Sequence, residues 1–133
     1  MITAVDSSVI IDVLVDDADH ARLSIEALRR ARREGALVLG ETVLAEVTPV
    51  LPKNVVRQFL AEWELRFVPS SAESAILAGE MARQFWARGG RRGRVMADFL
   101  IGAHAQCHAE RLLTRDRGFY RDYFKELTLF QPA

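Results

Sequence analysis

Short β-prone apolar runs alternate with longer helical stretches along this chain, and that alternation restricts it to α/β folds built on a parallel sheet. The runs are Ile2 to Val5, Ala36 to Leu39, Phe67-Val68, Leu112 to Thr114 and Leu127 to Phe130. Asp6-Ser7-Ser8 offers capping side chains for a first helix. Asp19 caps a second, from about His20 to Glu34, with Ala21, Ile25 and Leu28 as its apolar stripe and Gly35 as its stop. A helical stretch from Glu41 to Val47 is ended or kinked by Pro49, and another runs from about Asn54 to Leu65 after Pro52. Ser70 or Ser71 caps a long helix to about Arg88, and a last helix covers Val95 to about Ala109. The expected architecture is three α/β/α layers around a mostly parallel sheet of about five strands. A chain of 133 residues, half of them hydrophobic, has the size of one domain, expected to span residues 1–133.

Ligands of such sheets bind beyond the carboxyl ends of the strands. Asp6 and Asp116 each follow an expected strand, so both are placed on that rim although 110 positions separate them. Asp98 shares a helical face with Ile101, Gly102 and Ala105, and Glu46 shares one with Val43 and Val50. Each acid alone has an ordinary explanation as a strand-end cap or a solvated helix side chain. Together they need more: carboxylates about 4 Å apart repel by about 4 kcal/mol per pair at an effective dielectric near 20. A hard divalent cation offsets that directly, and Mg²⁺ favours a few carboxylates plus retained waters. Mg²⁺ is therefore the expected cofactor, with Mn²⁺ as its substitute.

Other features carry less. The 18 basic and 18 acidic residues balance, so net charge says nothing about a polyanionic partner. The single Cys107 forms no internal disulfide, no secretory signal opens the chain, and no apolar stretch reaches the roughly 20 residues a membrane span needs. A cytoplasmic protein without membrane association is expected. The arginines of the glycine-rich segment Arg88 to Arg94, notably Arg91, Arg92 and Arg94, follow Phe85-Trp86 and are candidates for clamping phosphates beside Asp98, against the simpler reading of a solvated loop. His104 and His108 have zinc-like i, i+4 spacing but no accompanying Glu or third ligand. Both point about 80° to 120° away from Asp98 on the helix, so packing roles are expected. Cys107 reads as a buried filler, Asp12, Asp16 and Asp17 as solvated helix-end charges, and Trp63, Phe67 and Met81 as core or dimer-interface groups.

The order and spacing of four segments add a family resemblance. Val5-Asp6-Ser7-Ser8-Val9-Ile10, Leu44-Ala45-Glu46-Val47, Ala97 to Ala105 and Leu113-Thr114-Arg115-Asp116-Arg117 with Phe119 make nearly the whole chain similar to the PIN-domain ribonucleases. Within them it resembles the VapC-type toxins of toxin–antitoxin pairs. The resemblance implies Asp6 and Asp98 as principal metal ligands, with Asp116 and Glu46 completing the acidic pocket and the Ser8 and Thr114 hydroxyls supporting it. It also implies hydrolysis of RNA phosphodiesters to 5′-phosphate and 3′-hydroxyl ends, a cognate protein antitoxin, and a homodimer. Thr48-Pro49 departs from the family pattern, which makes Glu41 the fallback for Glu46. A housekeeping PIN nuclease of RNA processing would share every site residue, and a catalytically silent binding module of the same fold is disfavoured by the four intact acids. A phosphatase would need a second Asp where Ser8 stands. A receiver domain would need an Asp at the end of the third strand, where Phe67-Val68 leads to Pro69.

Overall fold

The computed structural model describes residues 1–90 and 96–133. Strands β1 (Thr3–Val5), β2 (Leu37–Leu39), β3 (Leu65–Phe67), β4 (Arg111–Leu113) and β5 (Thr128–Phe130) form one sheet in the order β3-β2-β1-β4-β5, every pairing parallel. The three inner strands are buried along their whole length, whereas β3 and β5 at the edges are mostly exposed or half-buried. With helices on both faces no position of the inner strands points to water, so they are mainly apolar and their polar members, Thr3 and Arg111, are bonded to each other.

Helices α1 (Ser7–Leu14) and α2 (Ala21–Glu34) connect β1 to β2. α3 (Glu41–Val47), a 3-10 turn (Thr48–Val50) and α4 (Lys53–Glu62) lead to β3. The next connection, α5 (Ala72–Ala87) and α6 (Met96–His108), reverses direction past β2 and β1 to reach β4, and α7 (Arg117–Tyr123) leads on to β5. The chain therefore leaves β1 toward one edge of the sheet and leaves β4, its neighbour, toward the other. Such a switch point opens a crevice at the carboxyl ends of the two strands. Asp6 and Thr114 are the first residues past β1 and β4.

The core joins Val5, Leu37, Leu39, Leu112 and Leu113 of the strands to Val9 and Ile10 of α1, Leu28 and Ala31 of α2, and Phe99 and Ala103 of α6. α2 buries Ala21, Ser24, Ala27, Leu28 and Ala31 at helical spacing and packs this face against α1 and the core. α5 starts at a capping box in which Ser71 and Ser74 each accept from the other's backbone N–H. Gly102 lets α6 approach the residue that ends α7, since a Cβ there would stand 2.4 Å from Phe124.

Several expectations are corrected. α4 stops at Glu62, Trp63 caps it and Glu64 takes a left-handed φ of 53°, so Leu65 is freed to pair with Leu37 as a strand. Helical periodicity alone runs past that boundary. α7 has no counterpart in the sequence reading, because seven residues are too few to declare a period. Cys107 is exposed rather than a buried filler, lying on the outer side of α6. Asp12 is buried rather than solvated, while Phe67 is 50% exposed on the edge strand. Among the described residues, no helix is long and apolar enough to cross a membrane.

Candidate functional site

The parallel pairing of β1 with β4 fixes where the first acid stands. Val5 is in register with Leu113, and the Asp6 N–H donates to the Leu113 carbonyl (2.9 Å). The Asp6 carboxylate thus sits in the switch-point crevice, only 5% exposed. Its Oδ2 accepts from Thr114 Oγ1 (2.6 Å) and Ser8 Oγ (3.1 Å). Ser7 Oγ lies 2.8 Å from Glu46 Oε1 and 3.3 Å from Asp6 Oδ1; its single proton goes to the shorter contact, so Ser7 links α1 to α3. Thr114 Oγ1 also accepts from the Asp116 N–H (2.9 Å), and Ser8 Oγ from the Arg115 N–H (3.4 Å). One hydroxyl network therefore ties the ends of β1 and β4 to Asp6 and Asp116.

The structure brings all four expected acids into one electrostatic neighbourhood. Burial raises the Asp6 carboxyl above the usual aspartate range; bonds from Thr114 and Ser8 oppose that, and Glu46 adds to it. Asp98, half-buried in the first turn of α6, is pushed up to about 6, first by burial and then by Asp6, Glu46 and Asp116. Among the described residues, no basic side chain forms an ion pair with any of the four. Glu46 and Asp116 face solvent and Asp6 lies deep, so the site is a crevice with a closed floor and an open acidic rim. No three of the four place ligand oxygens within 4.8 Å of one another. Such a rim of oxygen donors suits a small cation that keeps several of its own waters better than it suits a tight cage of side chains.

Two other acidic groups are engaged in hydrogen bonds of their own. Glu41 accepts from the N–H and the hydroxyl of Ser70 (3.1 and 2.6 Å), which hold its carboxyl below the usual glutamate range. The first residue of α3 is thus tied to the residue before the α5 cap, whereas Glu46 accepts from Ser7. Asp12, Asp17 and His20 do place ligand atoms within 4.8 Å of one another. Asp12, however, accepts from Arg115 Nε and Nη2 (2.7 and 3.0 Å) and from Ser24 (2.8 Å), so its charge is already matched. Asp17 binds the N–H groups of Asp19 and His20 and the His20 ring.

His104 keeps the packing role expected of it: Nε2 donates to the Val68 carbonyl (2.6 Å), burial depresses its pKa, and Gly40 makes room for the ring. Arg91, Arg92 and Arg94 lie outside the described residues. Sequence reasoning passed over Ser7, the Asp12–Arg115 pair and Tyr120. Ser7 adjoins a motif already noted, and Tyr120 lies one helical turn beyond Asp116. The pairing of Asp12 with Arg115 had no local signal, since 103 positions separate them.

With this geometry in view, comparison with known proteins is informative. The family model of the PIN domain matches residues 3–125. No curated protein matches. Solved structures share the fold at low identity. VapBC2 from Rickettsia felis, bound to a DNA fragment from its promoter, aligns at TM-score 0.78 and 19% identity over 98% of both chains. FitAcB from Neisseria gonorrhoeae aligns at TM-score 0.68 and 23% identity over 99% of this chain and 98% of that one. VapC20 of Mycobacterium tuberculosis, a toxin that cleaves the sarcin-ricin loop, aligns at TM-score 0.60 and 15% identity over 95% and 98%. The match of the family model across nearly the whole chain, on a sheet whose switch point gathers Asp6, Glu46, Asp98 and Asp116, establishes that this chain belongs to the PIN domain family.

Proposed function

We propose that this protein is a divalent-metal-dependent endoribonuclease and the toxin of a toxin–antitoxin pair. The observation that carries the reading is the gathering of four carboxylates from separate elements around the buried Asp6, with Asp6 and Asp98 both raised above the usual aspartate range and no cationic partner among the described residues. The donor set fits a hard ion: it is all oxygen, and the imidazole of His104, on the same helix as Asp98, is engaged with Val68. Asp6 and Asp98 would hold Mg²⁺, or Mn²⁺ in its place, with Asp116 and Glu46 completing the shell partly through water. When bound, the ion supplies a water of lowered pKa and neutralises charge developing on the phosphate. The chain's own part is positioning. Thr114 and Ser8 hold the rotamer of Asp6 and favour its ionised form against the effect of burial, Ser7 steadies Glu46, and the buried floor holds the reacting phosphate away from bulk water on one side. Hydrolysis would leave a 5′-phosphate and a 3′-hydroxyl.

The toxin assignment and the antitoxin partner rest on the shared fold of the VapBC and FitAB complexes. A partner that lays a cationic side chain into the acidic rim would neutralise the same carboxylates and exclude substrate. Phe67 and Ile76, 50% and 63% exposed, supply apolar surface for the expected homodimer. Induced expression in a bacterial host tests the function. The wild-type chain is expected to arrest growth and generate new RNA 5′-phosphate ends, and Asp98→Asn to do neither. Arrest of equal strength by both proteins would reject the reading.

A further inference from the structure

Tyr120 carries a hydroxyl that the network around Asp6 does not use. The residue lies on α7, one turn beyond Asp116, and is 1% exposed. Its ring packs against Phe119 (centroids 5.3 Å apart) and Phe124 (6.3 Å), which fixes its direction. The hydroxyl is buried and has no hydrogen-bond partner among the described residues. Phenylalanine would serve the packing equally well, and burying a phenol without a partner opposes folding, so the oxygen calls for a role. The groups that act electrostatically on it are Asp6, Asp98, Asp116 and Glu46, and with burial they hold the phenol firmly protonated. Tyr120 therefore offers a neutral O–H donor to an acidic crevice. A neutral donor stabilises negative oxygens there without competing for the place of a cation, as an arginine would.

We propose that Tyr120 is a positioning residue of the acidic site, its hydroxyl donating to an oxygen of the cation-loaded centre, either a carboxylate ligand or a water held by the carboxylates. The inference rests on the metal reading given above. The hydroxyl gains its partner when the cation binds.

Tyr120→Phe tests it, with Tyr123→Phe as the control, since Tyr123 packs edge-to-face with Phe85 and Phe99 in the same aromatic cluster. Thermal unfolding in EDTA and Mn²⁺ binding by titration calorimetry at neutral pH are the two readouts. The expected result is that Tyr120→Phe unfolds no earlier than the wild type in EDTA yet binds Mn²⁺ about tenfold more weakly, as loss of one hydrogen bond to a charged site implies. Tyr123→Phe is expected to bind as the wild type does. Equal Mn²⁺ affinity in Tyr120→Phe and wild type overturns this inference alone, leaving the metal site intact. Absence of Mn²⁺ binding by the wild type overturns the metal reading, and this inference with it. Earlier unfolding of Tyr120→Phe in EDTA would show that the hydroxyl already has a structural role without metal, which also contradicts the inference.

Discussion

Asp98→Asn separates folding from function, because the charge it removes is unfavourable in the folded protein until a cation arrives. Its carboxyl is raised from 3.8 to about 6 by burial and three neighbouring carboxylates. At about 1.4 kcal/mol per pH unit this corresponds to about 3 kcal/mol. The side chain is only half-buried, so solvent screening reduces the expected effect to about 1 to 2 kcal/mol. The sign follows from proton counting. Between pH 3.8 and about 6 the folded state binds more protons at Asp98 than the unfolded state does, so stability falls as pH rises through that window and stays low above it. The uncharged variant escapes the loss. In EDTA at pH 7.5, Asp98→Asn is expected to melt roughly 5 °C higher than the wild type, and the gain is expected to shrink to about a third at pH 4.5. Saturating Mg²⁺ reverses the order, because an ion at about 100 times its Kd adds about 2.7 kcal/mol to the protein that binds it. Scanning calorimetry at the two pH values, with and without Mg²⁺, measures all of this. A variant less stable than the wild type in EDTA at pH 7.5, or a difference independent of pH, would refute the reasoning.

Three further substitutions probe the scaffold. Thr114→Val removes the 2.6 Å bond to Asp6 and the acceptor for the Asp116 N–H; urea unfolding is expected to show a loss of about 2 to 3 kcal/mol. Arg115→Met leaves the buried Asp12 carboxylate without its cation, and the same assay is expected to show a loss of about 3 kcal/mol. Restored stability in Arg115→Met combined with Asp12→Asn would confirm that the unmatched charge is the cause. Gly102→Ala drives a methyl against Phe124 and is expected to lower stability by about 1 to 3 kcal/mol by overpacking, with a lower melting temperature as the check.

The inner strands were legible because burial on both faces makes them mainly apolar, and Asp6 and Asp98 stood out as charges adjoining apolar runs. What escaped has physical causes. α7 and the end of α4 are set by tertiary pairing, of Leu65 with Leu37 and of Phe124 against Gly102, and local periodicity carries no trace of either. Asp12 looked like a helix-end charge because its arginine lies in the β4–α7 connection, which reaches α1 only through the pairing of β1 with β4. Cys107 falls in an apolar segment, yet α6 has an outer face and Cys107 lies on it. The Ser7 hydroxyl that holds Glu46 had no local signal either, because the contact exists only where α1 and α3 lie side by side.

The central claim, that these four acids make an RNA-cleaving metal centre, is tested most directly with purified protein and total RNA. Cleavage is measured with Mg²⁺, with EDTA, and with Mg²⁺ for Asp6→Asn and Asp98→Asn. The account predicts cleavage that leaves 5′-phosphates in Mg²⁺ alone, and a loss of at least about a hundredfold in EDTA and in each variant. Cleavage that persists in EDTA, or full activity in both variants, would contradict it.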